Sequence, residues 1–233
     1  MKYLYLWLDI GSLLIPFLFS FHPKLQFYKK WRSLFPAIFI MMLFFISWDI
    51  FFTHKGIWGF NKAYLSGYNL LNLPIEEWLF FICIPYACLF THYSLLYFFP
   101  KMRFKNTTSS VIYVLLISIL LGVLLYYYDH WYTVVNFGYA ALLLGWIYNN
   151  HSKLLNTFFP TFLVILLPFF LINGILTGIG INNPIVWYDN SENLGVRLLT
   201  IPVEDIIYAL GMLLTVLALT EFFEEQYISK SKQ

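Results

Sequence analysis

Charge is what this sequence has least of: 11% of its 233 residues are Asp, Glu, Lys or Arg, against 60% hydrophobic, with a mean hydropathy of +0.70. So little charge excludes an ordinary soluble globular chain. The net charge of +2 is small and its basic residues are scattered, which argues against a nucleic-acid partner. Cysteine is scarce too. Cys83 and Cys88 fall in one apolar run, about 140° apart in helical projection, so they cannot pair there and read as buried thiols. The five histidines (22, 54, 92, 130 and 151) form no paired boxes, which argues against a metal site of the di-iron oxygenase kind; His92 reads as hydrogen-bonded inside the bundle. No Gly-x-Gly-x-x-Gly precedes a helix, since Gly174, Gly178 and Gly180 close an apolar run, so no nucleotide cofactor is expected. No aspartate-rich pair is present to chelate a diphosphate through magnesium. The last apolar run holds no lysine for a retinal Schiff base.

What the chain has is apolar runs of spanning length. Seven are predicted, at about 3–20, 34–53, 75–99, 110–128, 132–148, 157–178 and 202–222. The first lacks a small-residue cleavage site and meets Pro23 and a basic loop, so it reads as a span and not a signal peptide. From Glu221 onward the residues are charged and polar, and a frayed tail is expected.

The spans contain a duplication. Phe35-Pro36 aligns with Phe159-Pro160, and Trp48 to Thr53 with Ile172 to Thr177; after a four-residue length difference, Pro74, Glu76 and Glu77 meet Pro202, Glu204 and Asp205. The first spans of the two copies align only loosely. The predicted fold is therefore all-α and integral to the membrane, with seven transmembrane helices as two parallel three-helix repeats joined by a linker helix. Its parts are a first repeat at 1–100, a linker at 101–130 and a second repeat at 131–233. With four crossings between spans 3 and 7, both acidic helix starts lie at one face, around an axis along the membrane normal.

Lysine and arginine orient it. Lys24, Lys29, Lys30, Arg32, Lys101, Arg103, Lys105, Lys153, Lys230 and Lys232 gather on one side, against Lys2, Lys55, Lys62 and Arg197 on the other. The N-terminus is expected outside the cell membrane and the C-terminus in the cytoplasm. Nine of the twelve acids then lie on the outer side, including Asp9 and Asp49.

Each proline and acid pair (Pro74, Glu76, Glu77; Pro202, Glu204, Asp205) suits an ordinary helix start, because proline fits the first turn and an acid faces the positive end of the dipole. Two such pairs beside hydrocarbon are costly, and intramembrane acids usually have a function. One protonated and one ionised carboxyl would supply general acid and general base. Phe80 shares a helix face with Glu76, and Tyr208 with Glu204. Rings make up 22% of the chain; most read as membrane core and interfacial belt, but Trp48, Trp58, Trp78 and Trp187 flank the acidic side and suit a pocket that stabilises a carbocation.

At these motifs the chain resembles the small integral-membrane lycopene cyclases, in which two related units each carry a Pro-x-Glu-acidic signature. The resemblance rests on Asp49, Thr53, Gly56, Trp58, Asn61, Tyr64, Gly67 and Leu73 to Phe81, and on Thr177, Pro184, Tyr188, Gly195, Arg197 and Thr200 to Asp205. Asn173 stands where the first copy has Asp49, so the halves are not equivalent. The resemblance implies carotenoid biosynthesis: an intramolecular lyase (isomerase) that needs no cofactor and converts lycopene to γ-carotene or β-carotene, with one end or both cyclised, by carboxyl acid–base catalysis. It implies Glu76 and Glu204 as principal acid–base residues, Glu77 and Asp205 as second carboxylates, and Asp49, Trp48, Trp58, Phe80, Tyr208 and Arg197 around the substrate, with Arg197 holding one acid ionised. The expected partners are a linear carotenoid taken from the bilayer, membrane lipid, and a second copy or other carotenoid enzymes. A competing reading from another class is a small-solute transporter, since parallel three-helix repeats suit alternating access; it requires polar residues along a mid-membrane path, where this chain is apolar.

Overall fold

The computed structural model describes residues 2–230. Its apolar runs fold into six helices: α1 (Leu4–Phe19), α2 (Trp31–Lys55), α3 (Ile75–Phe98), α4 (Asn106–Tyr126), α5 (Trp131–Leu176) and α6 (Val203–Lys230). The last five are long and apolar enough to cross a membrane; α1 is apolar but shorter, at 16 residues. The fifth and sixth of the seven expected runs both lie in α5, which is two helical arms meeting at a kink. The connecting residues 149–153 are polar and contain neither glycine nor proline. Helical geometry breaks among them at His151 (φ −139°, ψ 40°), which separates the two arms. The two arms fold back on each other: Tyr132 near the start of α5 and Asn173 near its end both donate to Asp205. The tail beyond Glu221 is also corrected: α6 continues through it, since Tyr93 donates to Glu221 and Lys30 reaches Glu224 at 2.5 Å. Of the basic residues assigned to that tail, Lys232 lies outside the described residues.

α1 packs on α3, α2 on α6, α5 on α4 and α6, and α3 reaches α5. Lipid removes the hydrophobic drive between helices, so close packing and interhelical hydrogen bonds, worth roughly 0.5–2 kcal/mol each, carry more of the association. Here they include Trp31 to Tyr86 at 3.0 Å, His92 to Thr161 at 2.7 Å and Tyr139 to Thr215 at 2.6 Å. The linker α4 buries only Ser109 and Leu120 and exposes Val111, Leu115 and Ile119, the profile of a peripheral helix facing lipid.

The loops before α3 and α6 contain short strands that apolar periodicity does not reveal: β1 (Trp58–Phe60), β2 (Asn69–Leu70), β3 (Leu73–Pro74), β4 (Val186–Tyr188), β5 (Arg197–Leu198) and β6 (Ile201–Pro202). The hairpins β2–β3 and β5–β6 pair Asn69 with Pro74 and Arg197 with Pro202, in identical register. Both turn through a leucine in the left-handed region, Leu71 at φ 57° and Leu199 at φ 60°. That strain is uncommon for a residue with a Cβ, and it recurs at matched positions. Each proline ends its strand just ahead of the helix and does not occupy the first helical position.

β1 and β4 lie antiparallel, with Trp58 opposite Tyr188, Gly59 opposite Trp187 and Phe60 opposite Val186. The contact is self-complementary. Asn61 N–H donates to the Ile185 carbonyl and Asp189 N–H to the Ile57 carbonyl, both at 2.8 Å. Gly59 is required here, because a Cβ would sit 2.4 Å from the Trp187 ring.

Candidate functional site

The heads of α3 and α6 meet beneath this strand pair. Neighbouring residues on a helix point about 100° apart, so the two acids of each head have different surroundings. Glu76 Oε1 accepts the Ser66 N–H at 2.6 Å, and Glu204 Oε1 accepts the Leu194 N–H at 2.7 Å and the Thr133 hydroxyl at 2.8 Å. Each of these acids clasps the loop ten residues upstream of it. Neither lines the large cavity below, and the second oxygen of each is buried without a partner.

Glu77 and Asp205 do line that cavity, together with Asp49. Glu77 Oε2 accepts the Tyr5 hydroxyl at 2.7 Å, and the Glu77 and Asp49 side chains lie within hydrogen-bonding reach of each other. Two carboxyl groups so placed can bond only by sharing a proton, since an ionised carboxylate only accepts. Asp49 also accepts the Tyr208 hydroxyl at 3.2 Å. Asp205 is surrounded differently: Oδ1 accepts Tyr132 at 2.6 Å, while Oδ2 accepts Tyr188 at 2.9 Å and the Asn173 amide at 2.8 Å. Three neutral donors are the surroundings that suit an ionised carboxylate.

The two settings follow one plan. Tyr5 and Tyr132, Asp49 and Asn173, and Glu77 and Asp205 are matched trios from the two halves. The difference is chemical: where the first half has a carboxyl at Asp49, the second has an amide at Asn173.

The cavity measures about 510 Å³. Trp58 roofs it, with ring centroids 5.1 Å from Tyr132, 6.2 Å from Tyr188 and 6.4 Å from Tyr208. From these rings it runs down the bundle between α1 (Gly11, Ile15), α3 (Phe80, Ile84), α5 (Phe162, Phe169) and α6 (Met212). Trp7 and Leu171, which also line it, are exposed on the flank of the bundle, so the hollow opens sideways. A larger hollow of about 1110 Å³ around His151, at the kink of α5, and Glu225 holds none of the paired acids.

Among the other residues singled out from sequence, Trp58, Phe80, Tyr208 and Asp49 line the cavity. Trp48 packs behind it against Phe45 and Tyr208, its indole N–H buried without a partner. Trp78 caps the first hairpin through the Leu70 carbonyl, and Trp187 covers Gly59. Among the described residues Arg197 pairs with no acid: it donates to the Thr200 carbonyl at 2.7 Å and to Asn190 at 2.9 Å, with its guanidinium over the Tyr188 ring. Tyr5 and Tyr132 were not legible as site residues, because the first spans align loosely and a tyrosine near a membrane surface is common.

A family model described as Lycopene cyclase matches residues 2–95 and 129–223, which is most of the chain and leaves α4 between the two matches. No curated protein and no solved structure matches the chain.

Proposed function

The chain belongs to the lycopene cyclase family, and on that premise we propose that it closes the ψ ends of a linear carotene into β-ionone rings, its first half giving a proton and its second half taking one. The observation that carries this reading is the unlike surroundings of matched acids: Glu77 set beside a second carboxyl, Asp205 bonded to three neutral donors.

The proton shared by Asp49 and Glu77 goes to the terminal double bond, leaving a tertiary cation. The electrons of the next double bond attack that cation, form the carbon–carbon bond that closes the six-membered ring, and leave a cation in the ring. Asp205 removes an adjacent proton, and the electrons of that bond become the ring double bond. Atoms and electrons balance without an oxidant, as an intramolecular lyase requires. The faces of Trp58, Tyr132, Tyr188 and Tyr208 lower the energy of the cation. Transfer of the proton from Asp205 back to the Asp49–Glu77 pair resets the site. Glu76 and Glu204 hold the loops, and the acid–base roles expected of them pass to their neighbours.

The protein is a multi-pass membrane protein. In our reading α1 and both arms of α5 cross as well, giving seven crossings, with the two three-helix units parallel and the N-terminus outside the cell membrane. The carotene slides in from lipid through the flank between α1 and α5. With one acid half and one base half there is one site per chain, so a monocyclic carotene precedes the bicyclic one.

Expression in a lycopene-accumulating host, with pigments identified by chromatography, tests the assignment. β-Carotene should form with γ-carotene preceding it, and Glu77→Gln or Asp205→Asn should leave lycopene unconverted. Full conversion by both variants would overturn it.

A further inference from the structure

Asp205 is approached by a side-chain series that the first half lacks. Tyr188 donates to its Oδ2 at 2.9 Å, and the Arg197 guanidinium lies 5.7 Å from the Tyr188 ring centroid. Shifted by 128 positions, Arg197, Tyr188 and Asp205 correspond to Asn69, Phe60 and Glu77. The first half therefore has no cation and no hydroxyl in this series. The guanidinium is held by the Thr200 carbonyl and Asn190, and the tyrosine by strand pairing with Trp58 and by its stack on Tyr132 at 5.7 Å. A cation over a ring face draws electron density from the ring, which makes the phenol a stronger donor to an anion. Burial, and then the Asp205 carboxylate, push the Tyr188 hydroxyl well above its ordinary range, so it donates without ionising, while Arg197 pulls the other way.

We propose that Arg197 acts on Asp205 through Tyr188, and that Tyr188 is a positioning residue that holds this carboxylate ready as base and aims it at one proton, thereby setting the position of the ring double bond. The proposal rests on the reading of Asp205 as the base. It makes Arg197 a remote partner of the second acid, without direct contact.

The test is a double-mutant cycle on full-length protein in lycopene-containing vesicles. Tyr188→Phe copies Phe60, and Arg197→Asn copies Asn69. Tyr188→Phe should lower kcat about tenfold with KM nearly unchanged, the loss of one hydrogen bond to a charged group. It should also raise the share of products with a displaced ring double bond. Arg197→Asn should lower kcat about threefold in the native background and not at all in the Tyr188→Phe background, because its effect passes through the hydroxyl. An equal loss in both backgrounds, or an unchanged kcat in Tyr188→Phe, would overturn the proposal. Asp205→Asn in the same assay separates the two ideas: if it is inactive while Tyr188→Phe is normal, only the relay fails, whereas full activity in Asp205→Asn removes the base itself.

Discussion

Asn173 offers its side-chain amide to Asp205 at 2.8 Å, and at the matched place in the first half Asp49 lies within hydrogen-bonding reach of Glu77. An amide brings a donor that cannot be given away. A carboxyl brings the same shape with a transferable proton. In the proposed mechanism this difference makes a duplicated scaffold into an acid on one side and a base on the other, and it directs where substitutions should act.

Asp49→Asn gives the first half the second half's amide. The fold should survive, because the chain already tolerates the amide in the matching environment. Turnover should fall by about 10² or more, the range for losing a positioned general acid. Carotene conversion alongside size-exclusion elution reads both effects, and undiminished turnover would end the shared-proton account.

Glu76→Gln and Glu204→Gln should separate stability from chemistry. A glutamine carbonyl still accepts the Ser66 or Leu194 N–H, but the bond is weaker by about 1 kcal/mol than one to a carboxylate. A lower Tm in detergent with substantial turnover is expected, in contrast to Glu77→Gln. Complete inactivity of a well-folded Glu76→Gln protein would return the principal role to that acid.

Gly59→Val should pry β1 from β4, since its Cβ would meet Trp187 ring atoms at 2.4 and 2.7 Å. Overpacking of this kind costs about 1–3 kcal/mol. Thermal melting should show the loss, and adding Trp187→Ala should recover most of it. If the second substitution restores nothing, the steric explanation is wrong.

Two cysteine labels test the crossings. With Cys83 and Cys88 inside an apolar helix, a membrane-impermeant maleimide should report the added thiols. Lys62→Cys should react from outside intact cells and Ser152→Cys only after the cytoplasmic face is opened. Labelling of both from one side would mean that α5 does not turn the chain across the membrane at His151.

The sequence by itself determined the apolar runs, their doubling and the acid pairs at two helix heads, because hydropathy and spacing are local and survive without knowledge of the partners. It also showed Asn173 against Asp49. Which acid of each pair faces the cavity depended on helix rotation, set by packing against α1, α2 and α5, and one step along a helix turns a side chain by about 100°. Only the tertiary structure could bring Tyr5 to Glu77, 72 residues away, or Tyr132 to Asp205, 73 away. The same holds for the strand pair across Gly59 and Trp187, whose hydrogen bonds join two loops that no local pattern connects.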